Sequence, residues 1–312
     1  MSDAPASGEG YASSPGLLAL FCLMSLVWGS TWIAAKAGVG ATPPLFFAAA
    51  RFVVASIALA LFVRGIGAAF APAIVGRVVA SALLVNAGTY GLLFYGMQWV
   101  ASGVAGLVNL ALIPVGLLGL SVLAGDEKAG WRHGAALAFG GAGLGLVFWR
   151  KAGFAGGRDE WIGLLAIVAG TFCYCLGAVM SRPLLRSVAP LQLTAAQAIV
   201  GALALGLLSA ALEPVSANTL QTLLRPAILA SLLAVALLGT LVGYTIYLRL
   251  LAVWGAFRAG LYAFVSPVVA LVAGWLVFDE AIGWREIGGA AAMLAGAALA
   301  MNRPKAAAAA GR

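Results

Sequence analysis

The chain has 312 residues, 63% of them hydrophobic and 9% charged, with a mean hydropathy of +1.05. Soluble domains are nearer half apolar and a quarter charged, so the composition excludes one and leaves a polytopic membrane protein. A net charge of +8 would suggest nucleic acid in a soluble chain, but the basic residues lie mostly at helix ends, which fits membrane orientation; no nucleic-acid partner is expected.

In lipid the backbone must satisfy its own polar groups, which leaves helices or a closed barrel. Apolar runs of 16–24 residues without strand-like alternation choose helices. Residues 1–16 carry Asp3 and Glu9 but no Lys or Arg. They lack a signal peptide's basic region and read as a disordered cytoplasmic N-terminus, followed by a retained helix. Ten spans follow, at about 17–38, 44–63, 78–98, 103–124, 131–149, 161–181, 191–212, 227–250, 259–278 and 284–301. The fifth and tenth are short and rich in Gly and Ala, so they are expected to pack on neighbours rather than touch substrate. The connections 64–77 and 213–226 contain Pro and are expected to hold short interfacial helices. Residues 304–312 read as a disordered tail. Cys22, Cys173 and Cys175 fall inside apolar spans, which makes them small hydrophobes rather than a disulfide or zinc set. His133 is the single histidine and is expected in a loop; no metal or cofactor is expected.

With the N-terminus inside, eleven Lys and Arg residues fall on the inner side and seven on the outer, so both termini are expected in the cytoplasm. The halves repeat. Residues 103–127 carry Pro114 near the middle and end in Asp126-Glu127. A shift of 153 sets Pro114 on Pro267, Asp126-Glu127 on Asp279-Glu280, and Gly130-Trp131-Arg132 on Gly283-Trp284-Arg285. A shift of 146 sets Trp28 on Tyr174, Lys36 on Arg182, Pro44 on Pro190 and Arg51 on Gln197. The expected fold is therefore all-α, with ten transmembrane helices as two five-helix repeats, 17–150 and 160–303. Five is odd, so the second repeat enters the membrane inverted.

The segment WGSTWIAAKAGV (28–39), the Pro44-to-Arg51 spacing and the fourth and ninth helices ending in Asp-Glu resemble the EamA-type ten-helix transporters of the drug/metabolite transporter superfamily. The resemblance covers about residues 17–303. It implies an inner-membrane carrier with a central cavity between helices one to four and six to nine, commonly exporting amino acids and other small metabolites. It also implies bending at the prolines that match, Pro114 and Pro267.

Arg51 is the candidate for a substrate carboxylate or a gate, because an intramembrane arginine is costly; snorkelling to the interface or pairing within the bundle is the alternative. Asn109 and Tyr262 are mates at a shift of 153, each five residues before its proline, and with Ser266 are expected to line the cavity. Asn86 and Tyr90 share one face of the third helix, and Tyr244 offers a polar-tipped ring on the eighth; such groups suit a flat or zwitterionic molecule. Trp28 and Lys36 share a stripe that reads as an aromatic, cationic exit path or as an interfacial belt. Asp126, Glu127, Asp279 and Glu280 read as opposing gates or as solvated helix ends.

The acids all lie at the rims or outside the spans, so transport is expected to be facilitative or exchange-like, unless a rim carboxylate couples it. One loop histidine and no acid at mid-depth argue against a membrane protease or phosphatase, and a passive channel lacks a reason for paired proline helices. A secondary transporter of small metabolites, amino acids first, is the leading reading. Drug, nucleobase and nucleotide-sugar carriers of the same superfamily are the rivals.

Overall fold

The computed structural model describes residues 14–100, 102–148, 157–278 and 283–301. Among them the backbone is almost wholly helical, because a helix closes its hydrogen bonds within one segment and so survives in hydrocarbon. Helix α1, Pro15–Ala41, starts at Ser14, whose hydroxyl accepts from the Leu17 amide, and at Pro15, whose missing N–H would have been unpaired there anyway. It is followed by α2 (Pro44–Phe62), α3 (Val75–Gly96), α4 (Ser102–Leu123) and α5 (Trp131–Phe148). The second half holds α6 (Arg158–Leu184), α7 (Pro190–Leu212) and α8 (Pro226–Trp254). Then α9 begins as the turn Ala256–Gly260 and runs on as Tyr262–Phe278, and α10 is Trp284–Met301. Six helices, α2, α3, α4, α6, α7 and α8, are each long and apolar enough to cross a membrane.

The connection 64–77 holds a 3-10 turn, Ile66–Phe70, and 213–226 holds a short helix, Ala217–Leu223. His133 departs from the loop expectation. It stands in the first turn of α5, where its Nδ1 accepts from the Gly130 N–H at 3.0 Å. That reach-back satisfies a helix-start donor as the third residue of a capping box does. Residues 1–13 and 302–312, and with them most of both expected tails, lie outside the described residues, as do Asp279, Glu280 and the side chain of Lys36.

The packing partners are far apart in sequence. Helix α2 runs antiparallel to α7: Glu213, at the end of α7, accepts from the Leu45 and Phe46 amides, while Gln192, at its start, donates to the Arg64 carbonyl at 3.1 Å. Helix α3 packs on α6 with Gly96 against Gly163 and Ser81 against Gly177. Helix α1 packs on α8 with Trp28 against Gly239 and the Ser231 hydroxyl donating to the Ala34 carbonyl. Helices α5 and α10 lie on each other through Gly143 and Gly289, as their small residues led one to expect.

Among the described residues, two stretches inside the long helices depart from α geometry. Leu83–Gly88 within α3 and Ala234–Tyr244 within α8 are π-helical, and the shift of 153 carries the first onto 236–241, inside the second. A π turn is wider than an α turn and re-aims the carbonyls and side chains around it, commonly at functional sites. Both stretches border the same cavity.

Candidate functional site

That cavity, of about 170 Å³, lies between α1, α2, α3, α4, α6, α8 and α9, near the middle of their lengths. Trp28, Arg51, Asn86, Tyr90, Asn109, Tyr244 and Tyr262 all line it. Ser266 does not: its hydroxyl turns to the Ser25 carbonyl of α1 at 3.3 Å and holds α9 against α1. The cause is position, because Ser266 lies one turn beyond Tyr262 on the side where α9 meets α1. Pro114 and Pro267 are buried inside continuous helices, beside the cavity rather than in its wall.

Arg51 is half-buried. Its Nε donates to the Thr240 hydroxyl at 2.9 Å, and its guanidinium carbon lies 4.8 Å from the Tyr90 ring centroid and 5.0 Å from that of Phe52. Ring faces attract a cation without neutralising it. Among the described residues no carboxylate pairs with Arg51. Thr240 is placed by the π stretch of α8, and the terminal N–H groups of the guanidinium meet no acceptor among the described residues, which leaves them able to receive an anion.

The opposite wall is a cluster of hydroxyl-tipped rings. Tyr262 donates to the Tyr174 hydroxyl at 3.0 Å. Trp28 lies edge-on to Tyr262 with centroids 4.4 Å apart, and its indole N–H donates to the Gly239 carbonyl at 2.9 Å. Tyr244 donates to Gln197 Oε1 at 2.9 Å, while Gln197 Nε2 donates to the Ser81 and Ser181 hydroxyls and Asn86 donates to the Gln197 carbonyl. The position that mates with Arg51 is therefore consumed in holding α3, α6, α7 and α8 together. Asn109 accepts from Thr171 at a long 3.5 Å, so its amide is the least committed polar group of the wall.

Thr31 and Tyr174 also line the cavity and were not among the expected site residues, and Thr240, which the eighth span offers beside Tyr244, lines it too. Tyr174 was visible as the mate of Trp28, and Thr240 as a polar neighbour of Tyr244. Thr31 stood in the sequence only as part of the 28–39 segment, one turn from Trp28.

The two ends differ. Towards residues 126–127 the side chains that follow the cavity are buried: Leu117, Tyr247, Leu248, Phe257 and Phe264 are at most 1% exposed. There Asp126 pairs with Arg182 at 3.5 Å, and Glu127 accepts from the Phe257 amide at 3.4 Å. Gly255, at φ +84, lets the α8–α9 turn come against the Glu127 carboxylate; any side chain would strain the backbone and collide with it. Towards the start of α2, Ala35, Arg51 and Phe94 stay half-buried.

At that second end Glu213 accepts from two amides at the α2 N-terminus, each at 2.7 Å, and from the Ser209 hydroxyl at 2.8 Å. A carboxylate there satisfies unpaired donors and opposes the positive end of the helix dipole. Glutamine keeps one acceptor and turns an NH2 group on the other amide. Glu213→Gln is expected to lower stability by about 1–3 kcal/mol. Thermal melting in detergent checks this against Asp159→Asn, an exposed first-turn acid of α6, which should stay within about 0.5 kcal/mol of the parent.

Compared with known proteins, the model of the EamA-like transporter family matches residues 15–149 and again 161–302. The chain belongs to the EamA-like transporter family. The inner membrane transporter YedA of Escherichia coli K12 is 30% identical over 280 residues, covering 86% of this chain and 86% of YedA. A probable amino-acid metabolite efflux pump of Salmonella typhimurium is 26% identical over 289 residues, covering 90% of this chain and 92% of the pump. A protein of known crystal structure, 22% identical, superposes with a TM-score of 0.75 over 92% of this chain and 97% of its own, and so shares the fold. This EamA-like chain is accordingly a multi-pass membrane protein. Its family and relatives point to transport rather than enzymatic chemistry.

Proposed function

We propose that this transporter exports small carboxylate-bearing metabolites, amino acids first, by alternating access of two inverted five-helix repeats around the cavity. The observation that carries the reading is Arg51, placed in the cavity wall by Thr240 and two ring faces and paired with no carboxylate among the described residues. A substrate carboxylate completes it. The ammonium group meets Asn109 Oδ1, tyrosine hydroxyls and ring faces, since no acid is among the lining residues. Size agrees. A cavity near 170 Å³ is close to the ~150 Å³ void that accepts benzene and below the roughly 300–1,000 Å³ of drug-sized pockets, which favours small metabolites over drugs or nucleotide sugars. The Salmonella relative named as an amino-acid metabolite efflux pump points the same way.

Several observations support the inverted repeat with ten spans. The family model matches each half separately. The packing pairs exchange under a swap of halves: α3 on α6 answers α8 on α1, α4 on α6 answers α9 on α1, and α2–α7 and α5–α10 answer themselves. In this mechanism α4 and α9 flex at Pro114 and Pro267. Asp126 and Glu127 form the gate at the packed end, with Asp279 and Glu280 their counterparts at the other and Lys36 flanking the path beside Trp28. The described arrangement, packed towards residues 126–127, is then open towards the α2 N-terminus. With the N-terminus inside the cell, that opening faces out across the inner membrane.

Counterflow in proteoliposomes tests the function. Vesicles loaded with an unlabelled amino-acid mixture should transiently accumulate labelled aliphatic or aromatic amino acids without any ion gradient. Silence across all the amino acids would sink the substrate assignment and leave the fold standing.

A further inference from the structure

A second, larger hollow of about 610 Å³ lies between α4, α6 and the end of α8, at the end of the molecule that carries Asp126. Its wall is apolar and comes from membrane-spanning segments, chiefly Leu120, Leu123, Leu176 and Val179. Leu123 is 84% exposed and Leu176 40%, so this wall is open to the surrounding bilayer rather than buried in the bundle. Above it, at the end of α6, stand Arg182 and Arg186. Arg182 is paired with Asp126. Arg186 is exposed, and its guanidinium meets no acceptor among the described residues. Asp126 and Glu127 balance the two guanidiniums, but Glu127 is turned to the Phe257 amide and the α8–α9 turn, so Arg186 keeps its charge towards the groove. Lys128 and Arg249, both exposed, add to the positive field at the same end.

We propose that this groove binds one anionic phospholipid. A cationic rim over an apolar, lipid-facing wall fits a phosphate joined to an acyl chain. A free phosphate has no use for the leucines, and a neutral lipid none for the unpaired arginine. The phosphodiester lies on Arg186 and shares Arg182 with Asp126, while one chain runs along Leu120, Leu123 and Leu176. A lipid phosphate there competes with Asp126 for Arg182, so its presence loosens one of the contacts that tie α4 to α6.

Native mass spectrometry of the full chain released from dodecyl maltoside tests the proposal. Equimolar phosphatidylglycerol and phosphatidylcholine of matched chains are added, with glycerol 1-phosphate in a separate arm. The expected result is at least a fivefold excess of phosphatidylglycerol adducts. Arg186→Ala, a change at an exposed side chain, should reduce that excess at least threefold, and Arg182→Ala/Arg186→Ala should erase it. Arg158→Ala, at the start of α6, should leave it intact. Equal adducts of the two lipids, an excess that survives the double variant, or glycerol phosphate retained as well as the intact lipid would each overturn the assignment.

Discussion

Arg51→Ala should cut amino-acid counterflow by about tenfold to a hundredfold while the protein still folds. A charge-assisted contact to a carboxylate contributes roughly 1.5–3 kcal/mol, and about 1.4 kcal/mol is a factor of ten. Folding should persist because Arg51 is half-buried, makes no ion pair among the described residues, and releases a Thr240 hydroxyl that still donates to the Val235 carbonyl at 3.4 Å. Arg51→Lys should recover part of the transport. The ammonium keeps the charge but loses the planar fork and the stacking on Tyr90 and Phe52. Initial counterflow rates, normalised to folded protein by size-exclusion chromatography, provide the readout. If the alanine variant transports at the parental rate, Arg51 does not meet the substrate, and the snorkelling alternative takes its place.

The second large effect should be on stability and not on transport. In α10, neighbouring glycines face different worlds. A Cβ on Gly289 would come within 2.7 Å of both the Gly143 carbonyl oxygen and a Val147 methyl of α5, whereas a Cβ on Gly288 meets nothing within 4 Å. The same contact is repeated along the pair, where a Cβ on Gly296 would approach the Ala136 carbonyl at 2.8 Å. These helices touch backbone to backbone, so a side chain at Gly289 must push the axes apart and forfeit packing along the seam. Gly289→Leu is expected to cost about 3 kcal/mol or more, at the upper end of overpacking, with loss of the monodisperse species on mild heating. Gly288→Leu adds a lipid-facing leucine and should melt like the parent. Neither helix supplies a cavity residue, so whatever fraction of Gly289→Leu folds should transport normally. Identical melting of the two variants would refute the close seam between α5 and α10.

Much of this site can be read in one dimension because hydrocarbon makes polar residues conspicuous. Arg51, Asn86 and Asn109 interrupt apolar runs, and a group that is costly in lipid needs a partner or a cavity. Asn109 and Tyr262 were linked by the shift of 153, and the structure brings both to one wall. Ser266 carried the same kind of signal yet lies outside the cavity, because a hydroxyl is equally satisfied by a neighbouring helix carbonyl, and sequence spacing cannot tell those partners apart. Glu213 was legible only as a rim acid. Its clamp on α2 joins residues 168 positions apart and depends on where α7 happens to end.

Composition and hydropathy already dictated a helical membrane protein with a duplicated sequence pattern, since burying about twenty apolar residues per span leaves the chain few other solutions. Tertiary packing selected the partners. The contacts from Arg51 to Thr240 and from Trp28 to the Gly239 carbonyl span 189 and 211 positions, and both use the π stretch of α8. A helix that widens by one residue per turn changes the direction of every group on it, and hydropathy is blind to that change. Hydrogen bonds are sensitive to tenths of an ångström and tens of degrees, so they are settled where helices cross and not along any one of them.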